Sequence, residues 1–251
     1  MGKMIYAILS VKNNLERIST LLSEIKGIAG TDLVAFFFDD VAAVVSEIEK
    51  ASLITDKDNA IAFAGVIENL SQHFTLLPMR FGSMLDSPDA IQKMLESNYP
   101  EFLNNLLKVE NKSEFGLKIL CDTKKLKAEL KAKSEAMNEI LQKSVGVNKD
   151  SVFKEYINQK LKAHKLEEML LNYVDSIIAE LTGFLVRLDA VKKIKKLTTA
   201  TTIIDAVFLL EKDNIAELIK AIEDMQRKYS GLNFILTGPW PPYSFVDITL
   251  K

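Results

Sequence analysis

Apolar positions recur along this chain in two rhythms, and the rhythm identifies each element. Met4 to Val11 is a compact apolar stretch fit for a strand. Leu33 to Phe38 and Val41 to Val45 flank Asp39-Asp40, a two-residue link suited to a tight hairpin. The spacing then changes: Phe63, Ile67, Leu70 and Phe74 step by four, three and four, which predicts an amphipathic helix from about Asp58 to Phe74. A strand over Thr75–Phe81 follows. Ser87-Pro88 supplies an N-cap and a first helical residue, and Tyr99-Pro100 restarts a second short helix bearing Leu103, Leu106 and Leu107.

The polar stretch VENKSEF, Val109 to Phe115, reads as a domain boundary. Beyond it Phe115, Leu117, Ile119 and Cys121 alternate with Gly116, Lys118, Leu120 and Asp122, the period of a strand with one buried face. Thr123–Ser144 reads as a solvated helix with Leu126, Leu130, Met137 and Leu141 at helical spacing, and Gly146–Asp150 as a break. A longer helix, roughly Ser151–Leu181, carries Leu166, Leu170, Tyr173, Ile177 and Leu181. Val186–Leu197 and the β-branched run Thr201–Leu210 fit a hairpin whose second strand is central. Asn214 and Glu217 cap a helix, and Leu232–Thr237 supplies a last strand. This order matches the split βαβ pattern of ferredoxin-like sandwiches. The expected class is therefore α+β: residues 1–110 form a small domain with an antiparallel sheet, and 111–237 a ferredoxin-like domain with long inserted helices. A proline-rich and aromatic tail, 238–251, packs back on the domains.

Composition narrows the function. The 251 residues include 48% hydrophobic ones, enough for a sizeable core, and 32 basic against 34 acidic residues leave a formal charge of −2. No basic field exists to hold nucleic acid or an anionic membrane. The start, MGKMIYAILSV, lacks the apolar core and cleavage site of a signal peptide, and no run approaches the roughly 18 apolar residues of a membrane span, so a cytoplasmic location is expected. One cysteine, Cys121, and two isolated histidines, His73 and His164, give no metal-binding spacing and no internal disulfide.

Chemistry is sparse. Nucleotide-binding, metalloprotease, redox and hydrolase signatures are missing. Asp205 interrupts the strand TTIIDAVFLL and reads either as a catalytic acid or, by burial rules, as a paired aspartate; His73 reads as a general base or as a structural histidine. Composition does not explain two stretches. In LLPMRFG, Leu76 to Gly82, an arginine sits inside an apolar run and a glycine follows. In TGPWPPYSFVDI, Thr237 to Ile248, three prolines stiffen Gly238–Pro242 into a polyproline-like rod carrying Trp240 and Tyr243. Two readings of this pair stay open: a seam between domains, with Trp240 and Tyr243 packed near Arg80, or a partner-binding surface, where Trp, Tyr and Arg are favoured anchors.

Together these stretches resemble the gas vesicle accessory family called GvpF/GvpL. An "LPLRFG"-like motif appears as Leu77-Pro78-Met79-Arg80-Phe81-Gly82, and a "GPWPPY-x-F" motif as Gly238-Pro239-Trp240-Pro241-Pro242-Tyr243-Ser244-Phe245. The likeness extends to AAVVSE at Ala42–Glu47 and to LL-x-x-D at Leu209–Asp213; Met79 in place of leucine conserves volume. The resemblance implies a non-enzymatic protein with no cofactor and no metal, a minor structural component or assembly factor. Its implied partners are the small hydrophobic shell subunit and other accessory proteins of the gas vesicle. Arg80, Phe81, Gly82, Trp240, Pro241, Pro242 and Tyr243 are the motif residues to watch. The alternative, since ferredoxin-like sandwiches host ligands, is a small-molecule-binding regulatory protein.

Overall fold

A computed structural model describes residues 2–12, 15–49, 57–142, 152–197, 199–246 and 248, with side chains given for all of these except 134–142 and 152–163. The chain divides into two compact units: Met1–Glu114 with Gly238–Lys251, and Phe115–Thr237.

The first unit runs β1 (Gly2–Ser10), α1 (Leu15–Glu24), β2 (Leu33–Phe38), β3 (Val41–Ile48), α2 (Lys57–His73), β4 (Leu76–Pro78), β5 (Met84–Leu85) and α3 (Pro88–Val109). Its sheet has the order β2-β3-β1-β4, with β5 also pairing β1, and every ladder in it is antiparallel. Asp39-Asp40 does turn the β2–β3 hairpin, with Asp39 in the left-handed region at φ 45°. One face packs Ile18 and Leu22 of α1 and Phe63, Val66, Ile67 and Leu70 of α2 against Met4, Ala7, Leu9 and Val44. Each such fully buried aliphatic side chain stabilises by about 2 kcal/mol. Tyr6 is fully buried, stacked on Phe63 with ring centroids 5.0 Å apart. Its hydroxyl accepts the Ile28 amide at 2.9 Å and lies 3.0 Å from Ser46 Oγ, so burial leaves it satisfied.

Two expectations for this unit are corrected. The strand predicted over Thr75–Phe81 stops at Pro78, because Pro78 has no donor for a ladder and Gly82, at φ +91°, turns the chain before it re-pairs as β5. The two short helices are one, α3, running unbroken through Pro100. Pro100 and Glu96 both face solvent, so the carbonyl that loses its partner there is exposed, and the helix survives on the burial of Ile91, Leu95, Phe102 and Leu106. The Ser87 cap forms as expected, its hydroxyl accepting the Ala90 amide at 3.1 Å. Helix α1, with Leu15, Ile18 and Leu22 at steps of three and four, is an element sequence reasoning passed over.

The second unit contains most of β6 (Lys112–Leu120), then α4 (Thr123–Gln142), α5 (Val152–Arg187), β7 (Val191–Lys196), β8 (Thr202–Glu211), α6 (Ile215–Lys228) and most of β9 (Asn233–Trp240). Its sheet order is β7-β8-β6-β9, with β8 central as its β-branched composition predicts. That is the ferredoxin-like arrangement, and β1-α1-β2-β3-α2-β4 repeats it in the first unit. The core joins Phe115, Leu117 and Ile119 of β6 to Leu170, Val174, Ile177 and Leu181 of α5 and Leu218, Ile222 and Met225 of α6.

Where VENKSEF was expected to link domains, α3 ends at Val109 and β6 begins at Lys112, joined through Asn111 at φ 55°. The predicted break at Gly146–Asp150 lies outside the described residues. Helix α5 reaches Arg187, past the expected end at Leu181, because Phe184, Leu185 and Leu188 continue its buried stripe. Within it His164–Arg187 is long and apolar enough to cross a membrane by length and composition, against the expectation that no run is. Leu170, Val174, Ile177, Leu181, Phe184 and Leu185 of it form the core stripe, while Leu171 and Val186 are exposed on the remaining face beside Glu167 and Asp175. Asn214 does not cap α6 through its side chain: Nδ2 donates to the Leu188 carbonyl at 3.2 Å, and a 3₁₀ turn at Lys212–Asn214 leads into the helix.

Candidate functional site

Both motifs, Leu77–Gly82 and Gly238–Phe245, fall in the first unit. The first, Leu77–Gly82, forms the turn between β4 and β5. The Met79 amide donates to the Tyr6 carbonyl at 2.9 Å, the Ser83 amide closes the turn on the Arg80 carbonyl at 3.0 Å, and the Ile5 amide rejoins at Ser83. Gly82 is required by its positive φ, since a Cβ there would meet no neighbour within 4 Å. Phe81 packs on the core edge-to-face with Phe63, centroids 5.3 Å apart. Arg80, expected to need acceptors inside a strand, stands exposed at the turn and makes no ion pair with any described residue.

The tail departs from a simple rod. Gly238, Pro239 and Trp240 complete β9 as an edge strand, with a cis bond between Gly238 and Pro239, because an edge tolerates the missing donor that an inner strand would not. Two tight turns follow, the Tyr243 amide on the Pro241 carbonyl at 2.8 Å and the Phe245 amide on the Pro242 carbonyl at 3.2 Å. Pro241 and Pro242 are the buried members of the turn, and the two rings are partly exposed, Trp240 by 46% and Tyr243 by 44%.

Glu114 of β6 holds the turn in place. Only 6% exposed, it accepts the Ser244 amide at 2.7 Å on one oxygen and the Ser244 hydroxyl at 2.6 Å on the other. Crowding around the Tyr243 hydroxyl, and then the negative charges of Glu68 and Glu114, push its pKa up to about 12. Helix α2 is thus a neighbour common to both motifs, touching Phe81 through Phe63 and facing Tyr243 with Glu68. No described contact joins Arg80 to Trp240 or Tyr243. Sequence reasoning missed Glu114 by placing it in a linker; the signal was an acid inside the strand pattern SEFGLKIL, which needs donors if buried.

The other candidates find structural settings. Asp205 is half-buried on β8, with Lys195 as its register neighbour on β7. His73 is exposed at the end of α2, 3.4 Å from an Arg17 nitrogen, and His164 is exposed on α5. Burial, then the charge of Asp122, raises the Cys121 thiol, which keeps it protonated and unreactive. Among the described residues no group of His, Cys, Asp and Glu is arranged to hold a metal.

Two ferredoxin-like units and a half-exposed aromatic tail clasped by a buried acid are the features that house the two motifs. The chain belongs to the gas vesicle synthesis protein GvpL/GvpF family, which it matches over residues 2–247. It is similar to gas vesicle protein F1 of Halobacterium salinarum, 24% identical over 229 residues that cover 90% of this chain and 86% of that one. With gas vesicle protein L1 of the same organism it shares 24% identity over 224 residues, 82% of this chain and 78% of the other. Its fold is that of the crystal structures of GvpF from Anabaena sp. PCC7120 (TM-score 0.74, 22% identity, 99% of this chain and 97% of that one) and from Microcystis aeruginosa (0.72, 17%, 98% and 99%). It has, accordingly, an accessory role in gas vesicles.

Proposed function

We propose that the chain binds the small hydrophobic shell subunit of gas vesicles and keeps it soluble until it joins the growing shell, acting in the cytoplasm without catalysis. The observation that carries this reading is the tail: Trp240 and Tyr243 are held half-exposed on a turn fixed by two buried prolines and the Glu114–Ser244 clasp. Aromatic side chains ordered in advance bury area against a partner at low entropic cost, and an apolar subunit left uncovered would aggregate. Arg80, exposed and without an ion pair among the described residues, is a second anchor of the type interfaces favour.

Co-purification with the shell subunit tests this. Wild-type protein should retain shell subunit in a soluble complex, and Trp240→Ala or Arg80→Ala should reduce the retained fraction with melting behaviour unchanged. Shell subunit that aggregates equally with and without the chain would end this reading.

A further inference from the structure

Among the described residues the two sheets have four edges, and three carry features that hinder strand addition along part or all of their length. The β4/β5 edge is built of three- and two-residue strands and contains Pro78. Strand β7 carries Lys192, Lys193, Lys195 and Lys196. Strand β9 is interrupted near its C-terminal end by Gly238-Pro239, one residue before it stops at Trp240. The fourth edge, β2, reads LVAFFF over Leu33–Phe38, with no charge, proline or glycine, and it pairs with β3 in unbroken register. Sequences of this kind left open are aggregation hazards unless something covers them.

Geometry states what the edge offers. The two-residue turn makes Phe38 and Val41 a bonded pair, so the backbone groups of Phe38, Phe36 and Val34 point toward β3 while those of Leu33, Ala35 and Phe37 point outward. At one end the open edge is stopped by the Lys26–Asp32 bridge, with Lys26 Nζ 2.5 Å from the Asp32 carboxylate; at the other it is stopped by the Asp39-Asp40 turn. Beside it a groove of about 510 Å³ runs against α1, floored by Leu22, Leu33, Ala35 and Phe37. Val34 and Phe37 are 45% and 37% exposed.

We propose that the free edge of β2 pairs antiparallel with β2 of a second copy of this chain, joining two five-stranded sheets into one. The open length between its two stops is the length of β2 itself. A two-fold axis at Ala35 sets Ala35 against Ala35 and Leu33 against Phe37, every one of them with its backbone groups facing the partner strand. Phe37 then covers Leu33 of the second copy across the groove, and Val34 packs beside Phe36, so the exposed apolar pair is buried by the same register that satisfies the backbone. Lys26 comes to lie between Asp32 of its own chain and the Asp39 turn of the other, a cation flanked by two anions. This inference stands apart from shell-subunit binding and is tested on the purified chain alone.

The test is sedimentation of the full chain over a range of concentrations, with hydrogen exchange at the edge amides. Wild-type protein should approach twice the 28.2 kDa of one chain, and the amides of Leu33, Ala35 and Phe37 should exchange more slowly as concentration rises. Ala35→Pro removes an outward donor without touching the β3 ladder, and Phe37→Lys sets a charge on the edge; each should return the mass to one chain with the far-ultraviolet spectrum unchanged. If Ala35→Pro does not fold, Phe37→Lys carries the test, since its side chain is already partly in water. A single-chain mass at every concentration, or a dimer that persists in a folded variant, overturns the proposal. So does a monomer whose edge amides slow only when an unrelated apolar peptide is added, because the edge then belongs to a different partner.

Discussion

Replacing Glu114 with alanine should release the tail while leaving the sheet intact. The carboxylate makes two hydrogen bonds to Ser244, and bonds to a charged acceptor contribute about 1.5–3 kcal/mol each. Two effects offset that loss: deleting a buried carboxylate returns its desolvation penalty, and Ser244, only half-buried, regains water. A net loss of about 2 kcal/mol in tail docking follows, which is roughly a thirty-fold rise in the population with the tail open. Hydrogen exchange reads this directly: the Ser244 and Phe245 amides should exchange about thirty times faster, with β1 and β3 amides unaffected. Ser244→Ala loses only the hydroxyl bond and should fall between, and combining it with Glu114→Ala should add less than its separate effect. Unchanged exchange at Ser244 in Glu114→Ala would refute the clasp, and equal acceleration in β1 would show that Glu114 supports the whole unit instead.

Two further outcomes test the same region. Tyr243 titrates higher folded than unfolded, so the stability tied to its neutral form is complete below about pH 10 and is lost as pH rises toward about 12; Trp240 fluorescence should report tail release across that window, and Tyr243→Phe should abolish the transition. Gly82→Ala meets no steric neighbour but forces a side chain to adopt φ +91°, so it should cost about 1–2 kcal/mol by thermal denaturation, with Phe81 still packed on Phe63.

Local signals were legible where one interaction decides the structure. Asp39-Asp40 had to turn, Ser87-Pro88 had to start a helix, and TTIIDAVFLL could only be a covered strand. Elements decided by distant partners were not. A proline in mid-helix normally ends it, and only the solvent-facing position of Pro100 makes α3 continuous. Helix α1, ten residues with only Ile18 and Leu22 buried, owes its existence to the sheet beneath it, and without it the first unit could not be recognised as a second ferredoxin-like arrangement. Of the site, the two motifs stood out by composition, but Arg80's exposure and the inward turn of the prolines follow from packing. Glu114 was hidden because its partner lies 130 residues away.

That separation sets an order of events during synthesis. The first unit is discontinuous, so most of it can fold while its closing segment is still untranslated. At about 5–20 residues per second, the 130 residues between Glu114 and Ser244 take on the order of ten seconds to emerge, and for that time the carboxylate waits in contact with water. The segment from Gly238, made after the second unit, therefore completes the first one, and a nascent chain interrupted before it would carry a finished second unit and an unclosed first one.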